Sequence, residues 1–219
     1  MDVGMIPSIE YLRGPEYRIV PGMAIASFGP VASVALFSKK PIERVRSIAL
    51  DTSSRTSVGL LRVLCSEQFG IEPTFYPQAP DPATMLRGCD AALIIGDPAL
   101  FLDHEAHGVA KIDMGEAWTS MTGLPFVWAF WAGRPGIVSP AAIRALTAAR
   151  DAGVAASDAV AAAYCGPERA ARGQAYLREN IRYTVGEPEQ AGLRKYHALA
   201  EKHGLVEATR ELLFYEASV

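Results

Sequence analysis

The chain has 219 residues, 50% of them hydrophobic, and a formal net charge of −3. That length buries a core as one large domain or as two small ones. With charges nearly balanced and no basic block, electrostatics give no reason to expect nucleic acid or a membrane surface as a partner.

In chain order, the first apolar run, Val3-Gly4-Met5-Ile6-Pro7, starts as if already inside a strand. Short β-like runs follow at Arg18 to Ser27, Ser33 to Ser38, Val45 to Leu50, Thr74 to Tyr76, Ala91 to Ile95 and Phe126 to Ala132. Several are apolar throughout rather than alternating, which fits strands covered on both faces in a parallel or mixed sheet. The polar cluster after Asp51 opens a helix carrying Val58, Leu61, Leu64 and Phe69, and Gly70 sits where a left-handed cap belongs. Asp81-Pro82 caps a short helix that Gly88 stops; Asp97-Pro98 and Ser139-Pro140 repeat the device. Val45 to Leu100 therefore reads as a βαβαβ-like unit.

From Ser139 alanine dominates, and helices are expected over Pro140 to Arg150, Ser157 to Tyr164, Pro167 to Tyr183 and Pro188 to His203. The basic stretch Arg169 to Arg182, interleaved with acidic residues, reads as a solvated helix face. An amphipathic piece, Val206 to Tyr215, closes the chain. Cys65, Cys89 and Cys165 are odd in number and set in apolar surroundings, as reduced, buried thiols are. No signal peptide is visible, and Phe126 to Gly133 is far short of the ~20 apolar residues that span a bilayer. A soluble, cytoplasmic protein is expected.

The densest chemistry is Asp51-Thr52-Ser53-Ser54-Arg55-Thr56-Ser57 at a strand-to-helix corner. Hydroxyls, an arginine and the donors of a helix N-terminus suit a carboxylate or phosphate there. The plainer alternative, one hydroxyl capping the helix and the others facing solvent, stays open. Ser27 and Ser33 flank the turn Phe28-Gly29-Pro30, which allows a backbone to approach a ligand closely or is an ordinary turn. Ser8, at the end of the first strand, reads as a simple N-cap. Asp97 ends a strand where open α/β sheets bind ligands, and it reads equally as an N-cap. His104 and His107 lie three apart with no further ligand nearby, so no metal site is expected. There is no P-loop, G-x-S-x-G or G-x-G-x-x-G, and Phe126, Trp128, Phe130, Trp131 and Trp118 read as packing near a lobe junction.

Four ordered segments resemble one family: Asp2 to Tyr11 (DVGMIPSIEY), Ile25 to Val34 (IASFGPVASV), Asp51 to Ser57 (DTSSRTS) and Gly123 to Ala129 (GLPFVWA). They look like the successive signatures of the MqnA family, chorismate dehydratases of the futalosine route to menaquinone. The resemblance implies an α/β, two-lobed, type II periplasmic-binding-protein-like fold with a helical C-terminal region. Lobe 1 would comprise residues 1–35 and 125–219, and lobe 2 residues 36–124. It implies removal of water from the dicarboxylate chorismate to give 3-[(1-carboxyvinyl)oxy]benzoate, without cofactor or metal. Carried over by motif, Ser27 is the catalytic residue. Ser33 and Gly29 bind the ring or one carboxylate, Ser54, Thr56 and Ser57 hold the other, and Ser8 and Asp97 line the site. A general base is not evident, which leaves a substrate carboxylate to take the proton. Family members begin with a further strand–helix–strand segment, and here the first motif starts at residue 2, so the resemblance implies that this segment is missing. The sister enzyme acting on cyclic dehypoxanthine futalosine, a non-catalytic binder of a small organic anion, and a homodimer all stay open.

Overall fold

Runs without a polar residue become strands hidden on both faces. Val34–Ser38 is buried at every residue, and Ala91–Ile95 at all but its last. The computed structural model describes residues 2–216. Its elements, in chain order, are β1 (Val3–Pro7), α1 (Glu10–Arg13), β2 (Arg18–Ser27), β3 (Val34–Ser38), β4 (Ser47–Asp51), α2 (Arg55–Glu67), β5 (Thr74–Gln78), α3 (Pro82–Gly88) and β6 (Ala91–Ile95). There follow α4 (Gly96–Phe101), β7 (Ala110–Asp113), α5 (Met114–Thr122), β8 (Phe126–Gly133), α6 (Pro140–Ala155), α7 (Ser157–Cys165), α8 (Ala170–Ala175) and α9 (Glu187–Lys202). The chain divides into two units, Met1–Phe28 with Leu124–Val219, and Gly29–Gly123.

The second unit is a five-stranded mixed sheet in the order β5-β4-β6-β3-β7. β4 pairs in parallel with β5 and β6, which is the βαβαβ unit, while β3 runs antiparallel to β6 and β7. Pro77 is tolerated in β5 because that strand lies at the sheet edge. β7 carries no sequence signal: four residues, Ala-Lys-Ile-Asp, become a strand because β3 offers an edge to pair with.

Asp113 ties this unit together. It caps α5, its Oδ1 accepting from the N–H groups of Gly115 (2.9 Å) and Glu116 (3.1 Å). The same carboxylate reaches back to the segment before β3, where Val31 N–H donates to Oδ1 (3.0 Å) and Ala32 N–H to Oδ2 (2.7 Å). Ala32 has φ +63, a left-handed conformation that costs a non-glycine residue roughly 1 kcal/mol. The charge-assisted bond to its N–H holds it there.

In the first unit an antiparallel sheet of order β1-β8-β2 is covered on both faces. On one, Val20, Met23, Val138, Ile143 and Tyr215 form a core against which Trp131 and Leu146 pack. On the other lies α9: Tyr196 meets Phe126 edge to face (centroids 4.9 Å apart), and His197 stacks on Tyr11 (6.1 Å). Gly192 makes the approach possible, since a Cβ there would come within 2.0 Å of the Pro125 carbonyl oxygen.

Two helical expectations end differently, and the C-terminal amphipathic piece takes an extended form. The one over Pro167 to Tyr183 breaks into α8 and a π-helical turn at Tyr176–Asn180. Arg182 leaves it because its backbone is captured by the edge of β2, exchanging N–H···O bonds with Ala26 (2.7 and 2.8 Å). The Val206 to Tyr215 piece is not helical: Ile19 N–H donates to Leu213 O (2.8 Å) and Tyr215 N–H to Ile19 O (3.0 Å). α6 continues to Ala155 rather than stopping at Arg150. Cys65 and Cys89 are buried free thiols, whereas Cys165 is partly exposed.

His197 is 2% exposed, and its Nε2 donates to the Ser8 carbonyl (3.2 Å), an atom that can only accept. Burial, with Arg210 adding to it, pushes its pKa from 6.5 down to about 4. Between those values the unfolded chain binds the proton and the folded one does not, so stability rises with pH across that window. We expect stability to be complete above pH 6.5 and to fall by on the order of 3 kcal/mol as pH drops to about 4. Denaturant melts at stepped pH check this, and His197→Gln must flatten the profile. Separately, Asp113→Ala is expected to cost roughly 2–3 kcal/mol, a cap plus charge-assisted bonds. A melting temperature within a degree of wild type would refute that.

Candidate functional site

In the second unit the strand order reverses beside β4: α2 leads to β5 on one side and α3 back to β6 on the other. Ligands of open α/β sheets bind at such a switch, beyond the carboxyl ends of the strands. At that end the corner Asp51–Ser57 follows β4, and Gly96-Asp97 follows β6. Because β3 is antiparallel to β6, the Gly29–Ser33 segment enters at the same end, where Ser33 O accepts from Gly96 N–H (2.7 Å). One unit thus gathers Gly29, Ser33, Ser54, Thr56, Ser57 and Asp97 at one edge.

Within the corner, Asp51 Oδ1 accepts from both the N–H (2.8 Å) and the hydroxyl (2.6 Å) of Ser53, which bends the chain off the strand. Ser54 is the N-cap of α2, its Oγ accepting from Ser57 N–H (3.2 Å) and donating to Ser57 Oγ (2.7 Å). Thr56 and Ser57 are each 2% exposed, whereas Thr52 and Ser53 face solvent.

Two readings from the sequence are corrected. Asp97 is not the N-cap of α4. The chain turns at Gly96 (φ +67), the cap is Ile95, and exposed Asp97 already lies in the first turn. Ser8 is not a cap either, since α1 has Ile9 at that position and no side-chain cap. The Ser8 N–H continues the sheet by donating to Trp128 O (3.0 Å), which keeps its side chain away from the helix end. Its hydroxyl is fully buried and has no hydrogen-bond partner among the described residues. Gly29 (φ +80) donates its N–H to Thr119 Oγ1 (2.9 Å), so its contribution in this structure is the turn.

Ser27, in the first unit, is also 0% exposed and accepts a hydrogen bond from the indole Nε1–H of Trp128 (3.1 Å). Trp128 also packs as the sequence suggests, its ring meeting Phe126 edge to face at 4.5 Å. Asp113 and Thr119, which organise the Gly29–Ser33 segment, escaped the sequence reading because their partners lie 81 to 90 positions away.

A separate concavity of about 250 Å³ in the first unit is lined by Met5, Met23, Ile25, Trp131 and Leu146. Arg150, which also lines it, is engaged with Gly22 O and Asp151. His104 and His107 each bond a backbone carbonyl through Nδ1, and no three His, Cys, Asp or Glu residues among those described could share a metal ion. No helix among the described residues is long and apolar enough to cross a membrane.

Comparison with known proteins places this geometry. A chorismate dehydratase of Thermus thermophilus is 32% identical over 226 residues, covering 93% of this chain and 80% of that protein. Among solved structures, AF1704 from Archaeoglobus fulgidus matches with a TM-score of 0.68 at 21% identity, over 94% of this chain and 80% of that one. The sulfonate-binding protein SsuA of Methylobacillus flagellatus matches with a TM-score of 0.60 at 17% identity, over 97% of this chain and 71% of that one. These structural likenesses carry the fold, that of the type II periplasmic-binding-protein class. The family model described as menaquinone biosynthesis matches residues 1–202, and the chain belongs to that family.

Proposed function

We propose that the chain dehydrates chorismate to 3-[(1-carboxyvinyl)oxy]benzoate. The observation that carries this reading is the 32% identity to a chorismate dehydratase across 93% of the chain. In the reaction the C–H bond at the ether-bearing ring carbon and the neighbouring C–OH bond break. The C–H electron pair enters the aromatic ring, and hydroxide leaves with the proton as water. Aromatisation supplies the driving force, so the protein's part is to orient a dicarboxylate and to stabilise developing charge with placed donors.

The hydroxyl arrangement suits that task. In this reading Ser54, Thr56 and Ser57 receive one carboxylate at the start of α2, where the helix dipole favours negative charge. Ser27 is the catalytic donor, with Ser33 and the Gly29 turn toward the ring or the second carboxylate. Ser8 and Asp97 line the site, Asp97 toward the ring hydroxyl. A substrate carboxylate takes the ring proton.

The test is incubation with chorismate, following its loss together with the appearance of the carboxyvinyloxy-benzoate. Ser27→Ala and Thr56→Ala are each expected to lower kcat/KM by about 10- to 100-fold, the worth of one hydrogen bond to a charged group, with melting temperatures near wild type. Full activity in either variant removes that residue from the site. Chorismate binding without turnover makes the chain a binder rather than an enzyme, and neither binding nor turnover overturns the proposal.

A further inference from the structure

Ser27 is the residue on which the proposed chemistry turns, and its surroundings decide which way its hydroxyl points. An indole N–H can donate and never accept. The 3.1 Å contact with Trp128 Nε1 therefore occupies an acceptor site of Ser27 Oγ and leaves the hydroxyl hydrogen to donate elsewhere. No acceptor for that hydrogen exists among the described residues, although Ser27 is 0% exposed.

The backbone is built to make this contact. Pairing of β2 with β8 steps from Ile25↔Ala129 to Ala26↔Val127, which leaves Trp128 as an extra residue in a β-bulge. Bulges re-aim a side chain that regular pairing would send elsewhere. Phe126 packs against the indole at 4.5 Å, and Trp128 as a whole is 8% exposed, so the ring is held in place. The carbonyl of the same residue receives the Ser8 N–H (3.0 Å) and so anchors the second buried serine, whose hydroxyl is also unpartnered.

We propose that Trp128 is a positioning residue that sets Ser27 as a hydrogen-bond donor to an acceptor oxygen of the substrate, and not as a proton-abstracting base. The inference rests on the chorismate dehydratase reading. An acceptor site filled by a neutral donor polarises the O–H bond outward, toward a carboxylate or toward the departing hydroxyl.

Trp128→Phe keeps the ring and removes only the donor. It is expected to lower kcat on chorismate by about five- to tenfold, the worth of one neutral hydrogen bond, while KM moves less than about twofold. A packing defect would not produce that split. In a Ser27→Ala background the same substitution is expected to cost nothing further. Trp128→Phe with full kcat, or with an undiminished effect in the absence of the Ser27 hydroxyl, overturns the inference while leaving the dehydratase reading in place. Full activity in Ser27→Ala overturns the inference alone, and a wild-type chain that leaves chorismate unchanged overturns both. Should Trp128→Phe not fold, the indole N–H band in ultraviolet resonance Raman spectra decides. A shift between wild type and Ser27→Ala supports the bond, and identical spectra overturn it.

Discussion

β8 joins segments that are far apart in the chain, and the first unit is organised around it. A central strand exchanges hydrogen bonds along both edges, and here the partners are residues 3–7 on one side and 18–27 on the other. An antiparallel strand can leave one face to water, yet β8 is covered above and below. Phe126-Val127-Trp128-Ala129-Phe130-Trp131 is apolar throughout, with α9 meeting one face and the Val20, Met23 and Ile143 core the other. A polar group buried in this sheet must find a partner or remain unsatisfied. Ser8 and Ser27 are drawn in at its end. Ser27 has an acceptor site filled by an indole, and Ser8 has no partner for its hydroxyl among the described residues, at a cost in stability.

The second unit follows a different logic. Its chemistry lies where parallel strands stop and helices begin, the point at which backbone donors are left over. Asp51 bends the chain, Ser54 caps the helix, and Asp113 holds the Gly29–Ser33 segment. Ser54 and Asp113 spend their oxygens on bonds within the unit, whereas Asp51 Oδ2 is buried with no hydrogen-bond partner among the described residues.

The absence of a nucleophile or cofactor motif does not weigh against an enzyme whose reaction ends in an aromatic ring. In the proposed reading the chemistry is carried by the polarity of a few hydrogen bonds rather than by a special side chain. Ser27 illustrates this, because its type is ordinary and its orientation is set by a neighbour 101 residues away.

Near-neighbour chemistry alone determined the strands of uniform apolar composition, the Asp81-Pro82 and Ser139-Pro140 helix starts, and the hydroxyl-dense corner after β4. Each depends on residues within a few positions, so each is written locally. The four ordered motifs were legible for the same reason. Only the tertiary structure decided that Ala110–Asp113 is a strand and that Arg182 leaves its helix for the edge of β2. It likewise decided that Ser8 is buried and uncapped, and that Asp97 lies inside a helix turn rather than before it. These outcomes depend on which sheet edge, carbonyl or indole arrives from far along the chain. A short segment carries no periodicity or cap that records such a partner, so its role is settled only when the fold brings the partner to it.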